Sequence, residues 1–345
     1  MPTLKIIAKK LGLSIATVSY VHNNKWKENN ISEKVAADVL RYLEQEGYRS
    51  NALGRQLKTK KTQTVGVILS DLSRKYNLGI LEGIEKVLSR HNYYALIGNS
   101  SMGIYLGEHA ATFISRAVDG LIITPYSVPG ADELFRKLAA EEYPVVFVDN
   151  HIPGIVVDAV TSDNRHAASA AVEDLILRGA RDIVYCGDIG SGIPVLDERL
   201  EGYREAMLHH GLAPRMMSST ANAAGSLYAG LSELWAGGKP DAVFADSLSY
   251  FSEGFRFFAE RGIRIPRDVI LAGFDPVDYG ADEIRALDLP SFITGQLPCI
   301  EQDGGAMGEQ AAMMILDSIA GKRKERCAIT IQAKMHHFKE AGNGI

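Results

Sequence analysis

Apolar runs of strand length in this chain keep ending in side chains that can donate or accept a hydrogen bond. Ser70 and Asp71 close VGVILSD (65–71), and Asn99 closes YYALIGN (93–99). Thr124 to Tyr126 close GLIITPY (120–126), and Asp149 with Asn150 closes PVVFVDN (144–150). Asp188, Asp246 with Ser247, and Asp275 end or follow three more runs, DIVYCGD, DAVFAD and VILAGFD. Carboxylates, amides and phenols gathered at one edge of a sheet supply the paired donors and acceptors that vicinal hydroxyls need. Any one Asp or Asn in such a place could instead cap the helix that follows. The recurrence from run to run favours a shared cleft.

The elements that must position these groups are legible as a rhythm. Each continuous apolar run precedes a longer amphipathic stretch, such as LGILEGIEKVLSRH, ADELFRKLAAEE or RLEGYREAMLHHG. Apolar strands alternating with helices predict an α/β fold, a parallel sheet covered on both faces. A break near residues 158–163 predicts two doubly wound lobes rather than one long sheet. A chain of 345 residues with 46% hydrophobic content is long enough for two or three globular units.

Charge is divided unevenly. Residues 1–61 hold 12 Lys and Arg against 5 Asp and Glu, a net of +7, whereas the remainder carries a net of -12. A basic head on an acidic body predicts a polyanion-binding module joined to a unit with another task. Cys186, Cys299 and Cys327 are scattered without metal-binding spacing, so a reduced compartment, no structural metal and no cofactor are expected. The N-terminus lacks a signal-peptide run and no stretch is apolar for long enough to span a bilayer, which predicts a cytoplasmic protein with no membrane partner. SDLSRKYNLG after the first strand is no phosphate loop, and no GxSxG or HExxH motif stands out, so an enzyme is not expected. The pairs His209-His210 and His336-His337 read as solvated helix and tail residues.

Within the head, TLKIIAKKLGLSIATVSYVHNN has helical periodicity, with Leu4, Ile7, Ala8 and Leu11 on one face and then Val18 and Val21. Thr3 and Ser14 are candidate N-caps, and Gly12 can supply the left-handed residue of a tight turn between two helices. Small Ala8 lets the second helix approach the first. A third helix begins after Ser32. Spacing alone fits a helix-turn-helix or an ordinary three-helix bundle, and the basic charge favours DNA.

IIAKKLGLSIATVSYVHNN, NALGRQLKTKKTQTVGVILSD, RAVDGLIITP, PVVFVDN, DERLEGYREAML and IPRDVILAGFDP together resemble, in order, the lac repressor/galactose repressor (LacI/GalR) family over nearly the whole chain. The resemblance implies a ligand-regulated, homodimeric, DNA-binding transcriptional repressor of carbohydrate-related genes. Its core would be like a periplasmic sugar-binding protein, with two lobes joined by three crossovers. The implied domains are a helix-turn-helix at 1–49, a hinge at 50–62 and an effector-binding core at 63–345. The first lobe takes about 63–160 plus 292–320, and the second about 161–291 plus 321–340.

Carried over position by position, the resemblance sets Ile15, Ala16 and Tyr20 against base edges of double-stranded operator DNA. Ser14, Thr17, Ser19 and Asn23 match phosphate-contacting or capping positions. Ile15 and Ala16 offer only apolar contact, and Tyr20 stands where Arg or His is frequent, so the operator departs from the family's usual sequence. Asn51, Arg55 and Leu57 fall in the family's hinge helix, with Leu57 at the position that wedges into the minor groove. Gly54 replaces the usual alanine there and Ser50 the usual proline. In the core, Arg199, Asp275 and Asp149 match effector-binding positions, with Asp71, Tyr76 and Tyr126 as further candidates. Either Asp246 or Ser247 would face the ligand, expected to be a sugar or related polyol rather than a nucleobase. Without the resemblance, Arg199 would read as a surface residue paired with Asp197 or Glu198.

Overall fold

The computed structural model describes residues 3–48, 61–128, 130–218, 226–276, 298–323 and 325–336. The chain divides into two compact units, Met1–Thr62 and Gln63–Ile345. The hinge residues Asn51, Arg55 and Leu57, with Ser50 and Gly54, lie outside the described residues.

In the head, α1 (Leu4–Leu11) starts where the Thr3 hydroxyl accepts the Ile6 amide, and it stops at Gly12, whose φ of 66° is left-handed. The Gly12 amide donates to the Ala8 and Lys9 carbonyls, closing the turn. Ser14 caps α2 (Ile15–His22) by accepting from the Thr17 amide, and Ser32 caps α3 (Glu33–Gln45) by accepting from Val35. Ile7, Ala8, Val18, Val21, Ala36, Val39 and Leu43 form one buried core. This packing suits the helix-turn-helix, which the spacing allowed alongside an ordinary three-helix bundle.

Among its described residues the core unit contains two six-stranded sheets. The first half of the chain supplies β1 (Thr64–Leu69), α4 (Lys75–Arg90), β2 (Tyr94–Asn99), α5 (Leu106–Ser115), β3 (Gly120–Ile123), α6 (Ala131–Ala140), β4 (Val145–Val148) and β5 (Asp158–Ser162). Then come α7 (Asn164–Leu177), β6 (Ile183–Gly187), α8 (Pro194–His209), β7 (Arg215–Ser218), α9 (Ser226–Gly237), β8 (Ala242–Ala245), α10 (Leu248–Glu260) and β9 (Ile270–Phe274). The chain continues with β10 (Cys299–Glu301), α11 (Gly304–Ile319), β11 (Ala328–Ile331) and β12 (Lys334–His336). The sheet orders are β11-β5-β4-β3-β1-β2 and β12-β10-β9-β8-β6-β7. All observed pairings are parallel except β10 with β12. Helices cover both faces of each sheet, as continuous apolar strands require.

The lobe boundaries read from sequence need correction. The break near 158–163 falls at the end of β5 (Asp158–Ser162), which is itself a strand of the first lobe. β10 belongs to the second sheet although 292–320 is expected in the first lobe, and β11 belongs to the first sheet although 321–340 is expected in the second. Strands of three to five residues carry too little periodicity to declare their sheet; pairing decides it. Ile329 aligns with Val160, and Ile300 with Phe274. Asp158, fully buried, fastens β11 by ion pairs to Arg323 at 3.1 Å and Arg326 at 3.2 Å. Among the described residues the chain crosses between the lobes three times, after β5, after β10 and between β11 and β12.

Helices α4 and α11 pack with little separation because glycines face the contact. A Cβ at Gly83 would stand 2.2 Å from the Gly305 carbonyl oxygen, and one at Gly308 would stand 2.0 Å from that of Ile80. Neither neighbour is a flexible side chain. Gly83→Ala should therefore destabilise the chain by about 2–3 kcal/mol despite alanine's better helix propensity. Urea denaturation checks this, and unchanged or increased stability would contradict the close packing.

Candidate functional site

Two features of the backbone aim carboxylates into the space between the lobes. Asp149, just past β4, has φ 73°, and Asp275, just past β9, has φ 62°. Few non-glycine residues adopt this left-handed geometry, though Asp and Asn tolerate it best. The two residues occupy corresponding strand ends in the two sheets. They face a single cavity of about 640 Å³ lined from both lobes. A cavity of this size is typical of small-molecule sites.

Arg199, on the second turn of α8, is buried at 5% exposure. Its Nε donates to Asn164 Oδ1 at 2.8 Å, Nη1 to the Asp246 carbonyl at 2.6 Å and Nη2 to Gln302 Oε1 at 3.2 Å. The guanidinium stacks on Phe274, 3.7 Å from the ring centroid. A surface pair with Asp197 or Glu198 is thus excluded. Glu198 instead accepts from Asn164 Nδ2 at 3.3 Å. Gln302 relays the arrangement, its Nε2 lying 3.1 Å from both carboxylate oxygens of Asp275. On the first lobe, the Tyr76 hydroxyl donates to Asp149 Oδ1 at 2.9 Å.

Burial sets the electrostatics of these groups. It pushes the Asp149 carboxyl up to about 6, against the lowering influence of Arg199, and it raises Asp275 in the same way. Burial, followed by the charge on Asp149, pushes the Tyr126 phenol up to about 12. Tyr76 is raised well above its ordinary value, again chiefly by burial. The cleft accordingly presents acceptors at both ends with fixed donors between them. Met102 and Leu248 add apolar wall, and Arg74 reaches from the first lobe to Ser249 of the second at 3.1 Å. Such a lining suits a ligand with hydroxyls on its edges and an apolar face.

Tyr76, Tyr126, Asp149, Arg199, Ser247 and Asp275 all line this cavity. Asp71 and Asp246 do not. The Asp71 carboxylate accepts from the Ser73 amide and hydroxyl and from Arg74, the local capping role open to any such residue. Asp246 is fully buried, and its Oδ2 accepts from the Asp188 amide at 2.9 Å and the Tyr185 hydroxyl at 3.2 Å. Asn99 is also off the wall, accepting from the Ser101 amide.

Several wall residues, Asn77, Gln302, Tyr250 and Glu253 among them, were not assigned as such from the sequence. Asn77 had a readable signal, a polar residue within the buried stripe Asn77, Ile80, Ile84 and Leu88 of α4. Its Oδ1 and that of Asn150 are buried and have no hydrogen-bond partner among the described residues. Gln302 had no signal, because it sits at a crossover whose position only the pairing of β10 reveals. Tyr250, whose hydroxyl donates to Asp188 at 2.6 Å, and Glu253 lie on α10 and read as ordinary helix residues.

In the head, Ile15, Ala16 and Tyr20 are exposed on the side of α2 opposite buried Val18 and Val21. Ser19 shares their side by helical spacing, and the Thr17 hydroxyl lies 2.8 Å from that of Ser14. Asn23 bonds back to the Ser19 carbonyl at 2.8 Å, which is a capping contact. In the 25–30 connection, Trp26 packs against the head's core and Lys27 lies over its ring at 5.2 Å.

A two-lobed sugar-binding-type core behind a helix-turn-helix defines a class of transcriptional regulator. Residues 62–341 match the family model for periplasmic binding proteins and the sugar-binding domain of the LacI family, and the chain belongs to that family. It is 29% identical over 339 residues to the HTH-type transcriptional regulator RegA of Clostridium acetobutylicum, covering 94% of each chain. Its fold is that of the lac repressor dimer bound to operator and an anti-inducer, with a TM-score of 0.76, 20% identity and 98% of each chain covered. The complex of the transcriptional regulator CelR with cellobiose is similar at a TM-score of 0.65 and 23% identity, over 98% of this chain and 99% of that one. Among the described residues no helix is long and apolar enough to cross a membrane.

Burial pushes the Asp246 carboxyl up to about 6, opposed by the nearby Arg199. A carboxyl raised on folding binds more protons in the folded than in the unfolded chain, so its contribution to stability falls as pH rises from about 4 to about 6. Asp246→Asn removes that titration. Across this window the parent should lose stability relative to the variant, by at most roughly 3 kcal/mol at about 1.4 kcal/mol per pKa unit. Urea denaturation of both proteins against pH measures the difference, and a difference independent of pH would contradict the raised value.

Proposed function

We propose that this chain is a repressor of carbohydrate-related genes whose hold on operator DNA is set by a neutral sugar or related polyol bound between the lobes. The observation that carries this reading is the pair Asp149 and Asp275, displayed from matching strand ends onto one cavity around buried Arg199. Hydroxyls both donate and accept, so a polyol can serve these carboxylates while receiving from a guanidinium and a phenol. Tyr76, Tyr126, Asp149, Arg199, Ser247 and Asp275 contact the effector. Asp71 and Asp246 support the wall from behind. The solved relative in complex with cellobiose agrees with a carbohydrate ligand.

On DNA, Ile15, Ala16 and Tyr20 read base edges in the major groove, while Ser14, Thr17 and Ser19 meet phosphates and Asn23 holds the end of the reading helix. Asn51, Arg55 and Leu57 belong to a hinge that enters the minor groove. The working unit is a homodimer. Edge strand β2, which leaves Tyr94 and Ile97 exposed, supports pairing with a second copy. Repression by binding and release requires no bond chemistry, so the protein is not an enzyme, and it acts beside DNA in the cytoplasm.

A panel of sugars tested by thermal shift on the full chain should yield a stabilising ligand, worth about 2.7 kcal/mol at ~100 Kd. Asp275→Asn keeps the size of the side chain and should abolish most of that shift. Arg199→Ala is a poorer probe, since it leaves buried partners unpaired and costs folding itself. An equal shift in Asp275→Asn would remove Asp275 from the site. In the head, Tyr20→Arg should change the operator chosen in binding-site selection while leaving the salt dependence of binding nearly intact. An unchanged consensus would show that Tyr20 does not read bases.

A further inference from the structure

Among the described residues, one group of three His, Cys, Asp or Glu side chains has ligand atoms close enough to hold a metal ion: Glu173, His209 and His210. Glu173 lies on α7, His209 is the last residue of α8 and His210 is its C-cap. One ligand atom from each lies within 4.8 Å of the others. We propose that these three residues form a binding site for a borderline divalent transition metal, of which Zn²⁺ is the natural probe, clamping the C-terminal ends of two neighbouring helices of the second lobe.

The donor set points to this class of ion. Two imidazole nitrogens with one carboxylate suit Zn²⁺ and its neighbours, whereas Ca²⁺ and Mg²⁺ prefer oxygen alone. Ligand atoms around tetrahedral Zn²⁺ stand roughly 3.3 Å apart, so the side chains need to close by up to about 1.5 Å. They are free to do so. Both imidazoles are exposed and Glu173 is half-buried, so rotamer changes suffice without moving backbone.

The surroundings favour a cation independently of the ligands. The two histidines stand at a helix C-terminus, where the last carbonyls carry partial negative charge. The rings of His209 and His210 touch edge to face, 5.0 Å between centroids, so both already point to one region. Helices α7 and α8 are also held in fixed relation elsewhere. Asn164 bonds Arg199, and a Cβ on Gly202 would stand 2.1 Å from the Arg165 carbonyl oxygen. The third ligand is therefore delivered by packing rather than by a mobile loop. This site does not depend on the proposed effector cleft.

Isothermal titration of the full, untagged chain with Zn²⁺ alone tests the inference. One ion per chain should bind with roughly micromolar affinity, and bound ion should raise the melting temperature. Glu173→Gln, His209→Ala and His210→Ala should each weaken binding by at least ~10-fold, since even outer-shell changes at metal sites cost that much. Circular dichroism melts without metal confirm that each variant folds. No binding by the parent overturns the site. So does a one-to-one step that survives His209→Ala with His210→Ala, because the ion is then held elsewhere. Parent-like affinity in Glu173→Gln overturns the three-ligand arrangement.

Discussion

A single buried guanidinium organises the core unit. Arg199 is withdrawn from water, stacked on Phe274 and bonded to Asn164, the Asp246 carbonyl and Gln302. Removing a cation from water is costly unless all its donors are met, and here each nitrogen has a partner. Its charge in turn opposes the burial that raises Asp149, Asp246 and Asp275. Without the arginine, three carboxylates would share a desolvated space with no central cation. The cleft is therefore pre-organised, since the groups a ligand meets are already fixed by their obligations to one another.

That organisation also links the lobes. Asn164 opens the helix after the first crossover, Gln302 sits at the second, and both bind Arg199 from the second lobe. On the proposed function, a ligand seated between Asp149 and Asp275 would span the same divide and would discriminate between lobe arrangements by how well both carboxylates were satisfied at once. Differential affinity of this kind is all that a ligand can contribute to a switch. The unpartnered Oδ1 atoms of Asn77 and Asn150 belong to the first-lobe wall, where a ligand or an altered arrangement would supply donors.

The head obeys simpler physics. Its three helices are capped by hydroxyls at Thr3, Ser14 and Ser32 and turned by left-handed Gly12, and one small apolar core holds them. Burying Val18 and Val21 leaves Ile15, Ala16 and Tyr20 no choice but to face outward. Two exposed apolar residues and a phenol on a basic module are poor value for an isolated domain in water. On the proposed function they would be completed by a DNA groove.

Local signals settled much of this protein in advance. Helix caps, the glycine turn, the apolar strands and the polar residues that end them depend on neighbours within a few positions, so they are legible in the chain itself. The doubly wound class followed from them, whereas the helix-turn-helix needed the basic charge and the family resemblance to be told from an ordinary three-helix bundle. Tertiary structure alone decided which sheet the short strands β10 and β11 join, because a few residues of pairing carry no periodicity. It also decided which strand-end carboxylates face the cleft. Asp149, Asp188 and Asp275 do so, while Asp71 and Asp246, identical in kind and place, are turned to Ser73 and to Tyr185. Gln302, 103 positions beyond Arg199, becomes its partner only where a crossover brings it there. Spacing along the chain determines what a residue can offer locally; which distant group receives the offer is fixed by packing.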